Sequence, residues 1–146
     1  MNIIFLDIDG VLRTHKSDSE WADLLGLPIP PIVFDRNFSS KGISNLNEII
    51  HFTGAKVLIT STWRVQHSLE DLKNKFRARG FRGEIREIID KTNILYDRGE
   101  EIQEWLDTHD VNKYIVIDHK HTTEAMDTSI GLEDYSLVDK IIDILV

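Results

Sequence analysis

Ile3-Ile4-Phe5-Leu6-Asp7-Ile8-Asp9-Gly10 is an apolar run that stops at two aspartates one residue apart, followed by a glycine. A continuous apolar run bounded by a turn residue reads as a strand buried on both faces, here over residues 2–7. Strand side chains alternate with a period of two, so Asp7 and Asp9 can face one small volume at the carboxyl end. Two carboxylates held together repel unless a cation or a proton separates them. The pair therefore points to a metal site with chemistry attached.

Two more buried strands repeat the pattern. Lys56-Val57-Leu58-Ile59 ends at Thr60-Ser61-Thr62, and Tyr114-Ile115-Val116-Ile117 ends at Asp118. Amphipathic stretches lie between and after them. Ser39 or Ser40 caps a helix with Ile43, Leu46, Ile49 and Ile50 on one face and Gly54 as its stop. A second helix carries Val65, Leu69, Leu72 and Phe76, with Gly80 past its end. Residues 84–89 form a short strand. Asp97 and Glu100 resemble a capping box for a helix bearing Ile102, Trp105 and Leu106, with Glu100-Glu101 as a solvated start. The tail from Leu132 is a last helix with Leu137, Ile141, Ile142 and Leu145 on its apolar side. Strands alternating with helices predict an α/β fold with a central parallel sheet covered on both faces, and ligands in such sheets bind outside the carboxyl ends of the strands. Asp7, Asp9, Thr60, Ser61 and Asp118 are then expected at one edge.

Composition narrows the function classes. The 146 residues fit one domain, 1–146, and the absence of cysteine excludes disulfides, thiolate catalysis and Cys-based zinc sites. A net charge of −8 argues against a groove for long nucleic acid, though not against one nucleotide or a strand end in a local pocket. No apolar stretch reaches membrane-span length, and the strand begins too near Met1 for a signal core, so a cytoplasmic protein without membrane contact is expected. Residues 11–38, with the cluster Pro28-Ile29-Pro30-Pro31, are irregular.

The residues suit a phosphate monoester. Its dianion repels an attacking carboxylate by roughly 4 kcal/mol at about 4 Å and an effective dielectric near 20, and Mg²⁺ between them removes that barrier. Asp7, Asp118 and the backbone carbonyl of Asp9 supply a ligand set of hard oxygens. Asp7 can attack phosphorus, giving an aspartyl-phosphate, while Asp9 serves as general acid and then base. Thr60, with the backbone N–H groups of Ser61 and Thr62 at a helix N-terminus, can hold phosphoryl oxygens. Arg98 or Lys91 is the candidate cation for the transition state.

Asp7-Ile8-Asp9-Gly10-Val11, Thr60-Ser61 and Asp118 resemble motifs one, two and four of the haloacid dehalogenase (HAD) superfamily. Thr60-Ser61-Thr62-Trp63-Arg64, Arg98-Gly99-Glu100-Glu101-Ile102 with Trp105-Leu106, and Gly131-Leu132 are similar to segments of the small HAD domains of bacterial and phage (Swiss Army Knife) RNA-repair proteins. The resemblance implies a Rossmann-like three-layer α/β/α sandwich. In it Asp7 is nucleophile, Asp9 acid/base, Thr60 phosphate ligand and Asp118 metal ligand, with Arg98 ahead of Lys91 as the third-motif cation. It also implies residues 11–38 as a flap or minimal cap, in which Trp21 and Phe34 could touch a base or pack the flap down. His119 stands where many members carry a second acid.

The expected activity is a Mg²⁺-dependent phosphatase acting on a nucleotide or nucleic-acid end. The alternatives are a small-metabolite phosphatase, a non-catalytic metal- and phosphate-binding module, and a receiver-like signalling domain; Thr60, where a receiver needs its phosphoaccepting Asp, counts against the last. Arg64 is a substrate contact or the partner of an internal acid, and Trp63 reads as core. Asp118-His119-Lys120-His121 as a transition-metal site lacks an evident third strong ligand.

Overall fold

The computed structural model of the chain describes residues 1–8, 11–13, 23, 26, 38–60, 67–89, 98–118, 125–126 and 131–146, and at 98, 99, 125, 126 and 131 the backbone alone. Asp9, Lys91, His119, Trp21, Phe34 and residues 61–66, which include Ser61, Thr62, Trp63 and Arg64, lie outside the described residues, as does most of the 11–38 stretch.

β1 (Asn2–Leu6), β2 (Lys56–Ile59), β3 (Ile85–Ile88), β4 (Lys113–Ile117) and β5 (Ala125–Met126) form one sheet in the order β3-β2-β1-β4-β5. Every described pairing is parallel. Between the strands run α1 (Ser40–Thr53), α2 (Leu69–Ala78) and α3 (Arg98–Asp107); a 3₁₀ turn, Gly131–Glu133, precedes α4 (Ser136–Leu145). None of the described helices is long and apolar enough to cross a membrane.

Local signals account for the helix ends. Ser39 accepts a hydrogen bond from the Gly42 N–H, and Gly54, at φ 65°, closes α1 in the left-handed region that glycine enters without cost. Ser68 caps α2 by accepting from the Asp71 N–H. That cap corrects one expectation. α2 starts at Leu69 rather than upstream of Val65, so its N-terminus is not at Ser61 and Thr62.

The strand order explains the two-sided cover. From β1 through β2 to β3 the chain steps one way across the sheet, and right-handed crossovers put α1 and α2 on one face. α3 then carries the chain back past β1 to β4, and the same handedness puts it on the other face. Two core clusters match. Ile4, Leu6, Val57, Ile59, Ile115 and Ile117 pack with the inner residues of α1, α2 and α4. Ile3, Phe5, Leu58 and Val116 pack with Ile102 and Trp105 of α3. The result is the expected three-layer α/β/α sandwich. Trp105 meets Phe5 edge-on, ring centroids 5.7 Å apart, and its indole N–H donates to Glu87 Oε1.

Candidate active site

The register of the three central strands brings their ends level. Leu6 pairs with Ile59 on one side and with Ile117 on the other. The next residues in each chain are Asp7, Thr60 and Asp118. Backbone bonds carry the ladder one step past the strands: the Thr60 N–H donates to the Leu6 carbonyl at 3.0 Å and the Asp7 N–H to the Ile117 carbonyl at 3.0 Å. Each of these three residues lies two positions beyond Phe5, Leu58 or Val116, and those three share the α3 face of the sheet. The pleat thus places Asp7, Thr60 and Asp118 on that face as well. The structure brings these three together at the carboxyl edge, and β1 and β4 flank the point where the strand order reverses.

All three are buried to about 1% exposure. The Ile8 N–H donates to Asp7 Oδ1 at 2.9 Å, which fixes the plane of the nucleophile candidate. The Thr60 hydroxyl has no hydrogen-bond partner among the described residues. A buried hydroxyl left unpaired costs on the order of 1–3 kcal/mol, so an acceptor belongs beside it. A phosphoryl oxygen is such an acceptor.

α3 runs from the carboxyl edge to the amino edge, where the Asn112 N–H donates to the Met1 carbonyl at 2.8 Å. Its first residue is Arg98, at the same edge as Asp7 and over the same face. Lys91, the other cation candidate, falls outside the described residues. Glu100 is exposed as expected of a solvated helix start, but Glu101 is 5% exposed, which corrects that expectation for the second acid. It precedes Ile102 and lies four residues before Trp105, so it shares their inward side.

The donor set fits Mg²⁺. Among the described residues it consists of two carboxylates at neighbouring ladder positions, with no thiolate or imidazole joining them. Mg²⁺ takes one or two carboxylates and completes its octahedron with waters and phosphate. A groove elsewhere, lined by Asn47, His51 and Arg82, sits against α1 and the turn before β3, away from these strand ends.

Sequence reasoning missed the Ile8 N–H as a partner of Asp7 and the buried pairing of Ser39 with Glu133, whose carboxylate accepts the Ser39 hydroxyl at 2.6 Å. The first is a backbone group that every sequence carries alike. The second spans 94 residues and has no local signature.

A family model described as the HAD domain in Swiss Army Knife RNA repair proteins matches residues 3–133. No curated protein and no solved structure matches the chain.

Proposed function

The chain belongs to the HAD domain family of Swiss Army Knife RNA repair proteins, and from that premise we propose that it is a Mg²⁺-dependent phosphomonoester hydrolase, a single domain over 1–146 with 11–38 as its flap. The family suggests phosphatase-type hydrolase chemistry. The observation that carries the reading is the level, one-faced placement of Asp7, Thr60 and Asp118.

Asp7, Asp118 and the backbone carbonyl of Asp9 would hold the Mg²⁺, whose charge offsets the repulsion between the Asp7 carboxylate and a phosphate dianion. Asp7 attacks phosphorus through the oxygen not held by Ile8. The P–O bond to the leaving group breaks as the P–O bond to Asp7 forms, and Asp9 gives its proton to the departing oxygen. Asp9 then takes a proton from water, which attacks the aspartyl-phosphate, releases inorganic phosphate and restores Asp7. The Thr60 hydroxyl donates to a phosphoryl oxygen throughout. Ser61, Thr62 and Arg64 serve the substrate phosphate beside it, and Arg98, ahead of Lys91, supplies the transition-state cation.

The substrate in this reading is the terminal phosphate of a nucleotide or a nucleic-acid strand. The family's RNA-repair description supports an end, and the net charge of −8 supports a short contact over a long groove. The setting is the cytoplasm.

Phosphate release from 3′- and 5′-phosphorylated oligoribonucleotides, free nucleotides and p-nitrophenyl phosphate, with Mg²⁺ and with chelator, tests the reading. Turnover that requires Mg²⁺ and vanishes in Asp7→Asn is expected. Absence of release from every ester by the wild-type protein overturns it.

A further inference from the structure

The chain leaving β1 folds back at once. The Ile8 carbonyl accepts from the N–H groups of Val11, Leu12 and Arg13 at 3.1, 2.9 and 3.0 Å, so Ile8 and Val11–Arg13 are tied into one turn. Asp9 stands between them in sequence. Two distant segments grip this turn from outside. The Leu132 N–H donates to the Val11 carbonyl at 2.8 Å, and the Ser39 N–H donates to the Leu12 carbonyl at 2.7 Å. Those two segments are joined to each other: Ser39 Oγ donates to Glu133 Oε1 at 2.6 Å, and Asn45 Nδ2 donates to the Leu132 carbonyl at 2.8 Å. Val11, Leu132, Glu133, Ser39 and Leu12 thereby close a ring of backbone and hydrogen bonds.

Ser39 and Glu133 are 2% and 6% exposed, and burying a carboxylate and a hydroxyl is costly unless they are paired. The carboxylate's position is favourable for a second reason. α1 has no acid in its first turn, and Glu133 brings a negative charge to its N-terminus through the capping serine. A hydrogen-bonded buried network holds one geometry, whereas an apolar contact at the same place would tolerate sliding.

We propose that Ser39 and Glu133 are a positioning pair: a buried latch that fixes the backbone of Ile8 and Val11–Arg13, on either side of Asp9 in the sequence, and through it serves the general acid of the reaction. The inference rests on the phosphatase reading above. General acid catalysis matters most when the leaving group is a poor one, because a good leaving group departs without a proton. Loosening the latch therefore penalises difficult esters selectively.

The test compares kcat/KM, which reports the leaving-group step and not the shared hydrolysis of the aspartyl-phosphate, on an alkyl phosphate and on p-nitrophenyl phosphate in wild type, Glu133→Ala, Glu133→Gln and Ser39→Ala, alongside amide hydrogen exchange at Val11, Leu12 and Arg13. Glu133→Ala and Ser39→Ala are expected to lower kcat/KM on the alkyl ester by at least about tenfold, with less than about a threefold loss on p-nitrophenyl phosphate. Exchange at the three amides should quicken. Glu133→Gln keeps an oxygen for the Ser39 hydroxyl and should restore most of both readouts. Equal losses on the two esters, or Glu133→Gln as impaired as Glu133→Ala, reduce the pair to a structural role and overturn the proposal. Should Glu133→Ala fail to fold, Ser39→Ala decides by the same split. A wild-type protein inactive on both esters sinks the phosphatase reading instead; unchanged exchange in the variants then sinks the latch as well.

Discussion

Asp7 and Asp118 are neighbours at the ends of adjacent parallel strands, joined by the bond from the Asp7 N–H to the carbonyl of Ile117, one residue before Asp118. Adjacent strands lie about 4.8 Å apart. Unit charges at that spacing repel by roughly 3 kcal/mol at an effective dielectric of 20. A divalent cation converts that repulsion into attraction. Mg²⁺ is therefore expected to raise the melting temperature of the wild-type protein. A ligand at about 100 times its Kd contributes about 2.7 kcal/mol, several degrees for a chain of this size. Chelator should reverse the rise, and Asp118→Asn should remove most of it. Thermal melts with and without Mg²⁺ measure both, and an identical shift in wild type and variant counts against this pair as the metal site.

Thr60 presents a trade between stability and activity. Its hydroxyl is buried without a partner among the described residues, while its backbone N–H belongs to the ladder. Thr60→Val removes only the hydroxyl and keeps the β-branched shape. Stability is expected to hold or to rise by about 1 kcal/mol, since a buried hydroxyl without a partner among the described residues is gone. kcat/KM should fall by about 10- to 100-fold, the worth of one hydrogen bond to a charged oxygen. Chemical denaturation and steady-state kinetics on one preparation read the two effects. A stability loss with activity intact would place the hydroxyl outside the phosphate site.

Much of this architecture is legible without coordinates because β1, β2 and β4 are buried on both faces, and such strands read as unbroken apolar runs. The convergence of Asp7, Thr60 and Asp118 follows from parallel pairing alone. Their common face does not, because it depends on the register Phe5–Leu58 and Phe5–Val116, which no single strand encodes. β5 has two residues, too few for any periodicity. Glu101 misleads because charge in a first helical turn is ordinarily solvated; its place beside Ile102 and four residues before Trp105 is the stronger signal. The start of α2 misleads for the converse reason. Val65 fits the apolar spacing of Leu69, Leu72 and Phe76, but Ser68 is extended and ends the helix there.

Trp105 links the core to the site through α3. Its ring packs on Phe5, its N–H is bound by Glu87, and its helix begins at Arg98. Trp105→Ala should cost about 3–5 kcal/mol, a typical loss for a large buried aromatic. Trp105→Phe keeps the edge-on packing and forfeits one hydrogen bond, so about 1 kcal/mol is expected. Since the proposed mechanism takes its transition-state cation from Arg98 at the head of α3, Trp105→Ala should lose activity at denaturant concentrations where the rest of the sheet still holds. Urea titration followed by both activity and far-ultraviolet circular dichroism distinguishes this from a single cooperative loss.

Asp134 gives the fold a measurable acid dependence. Hydrogen bonds from the Ser136 hydroxyl at 2.6 Å and the Ser136 N–H at 3.0 Å hold its carboxyl below the ordinary aspartate value, with Lys140 and Lys41 adding a smaller pull. The second of these satisfies the first N–H of α4, whose Leu137 and Val138 are buried in the core. A depressed folded-state value means that the carboxylate form is the stabilising one. Its contribution is complete above the unfolded value, near pH 4, and disappears as pH falls through the lower folded value. Asp134→Ala should therefore melt below wild type at pH 7, and the gap should narrow as pH falls from about 4 toward 2. Melting curves across that range check the sign: a gap that widens in acid would mean the protonated form caps the helix better.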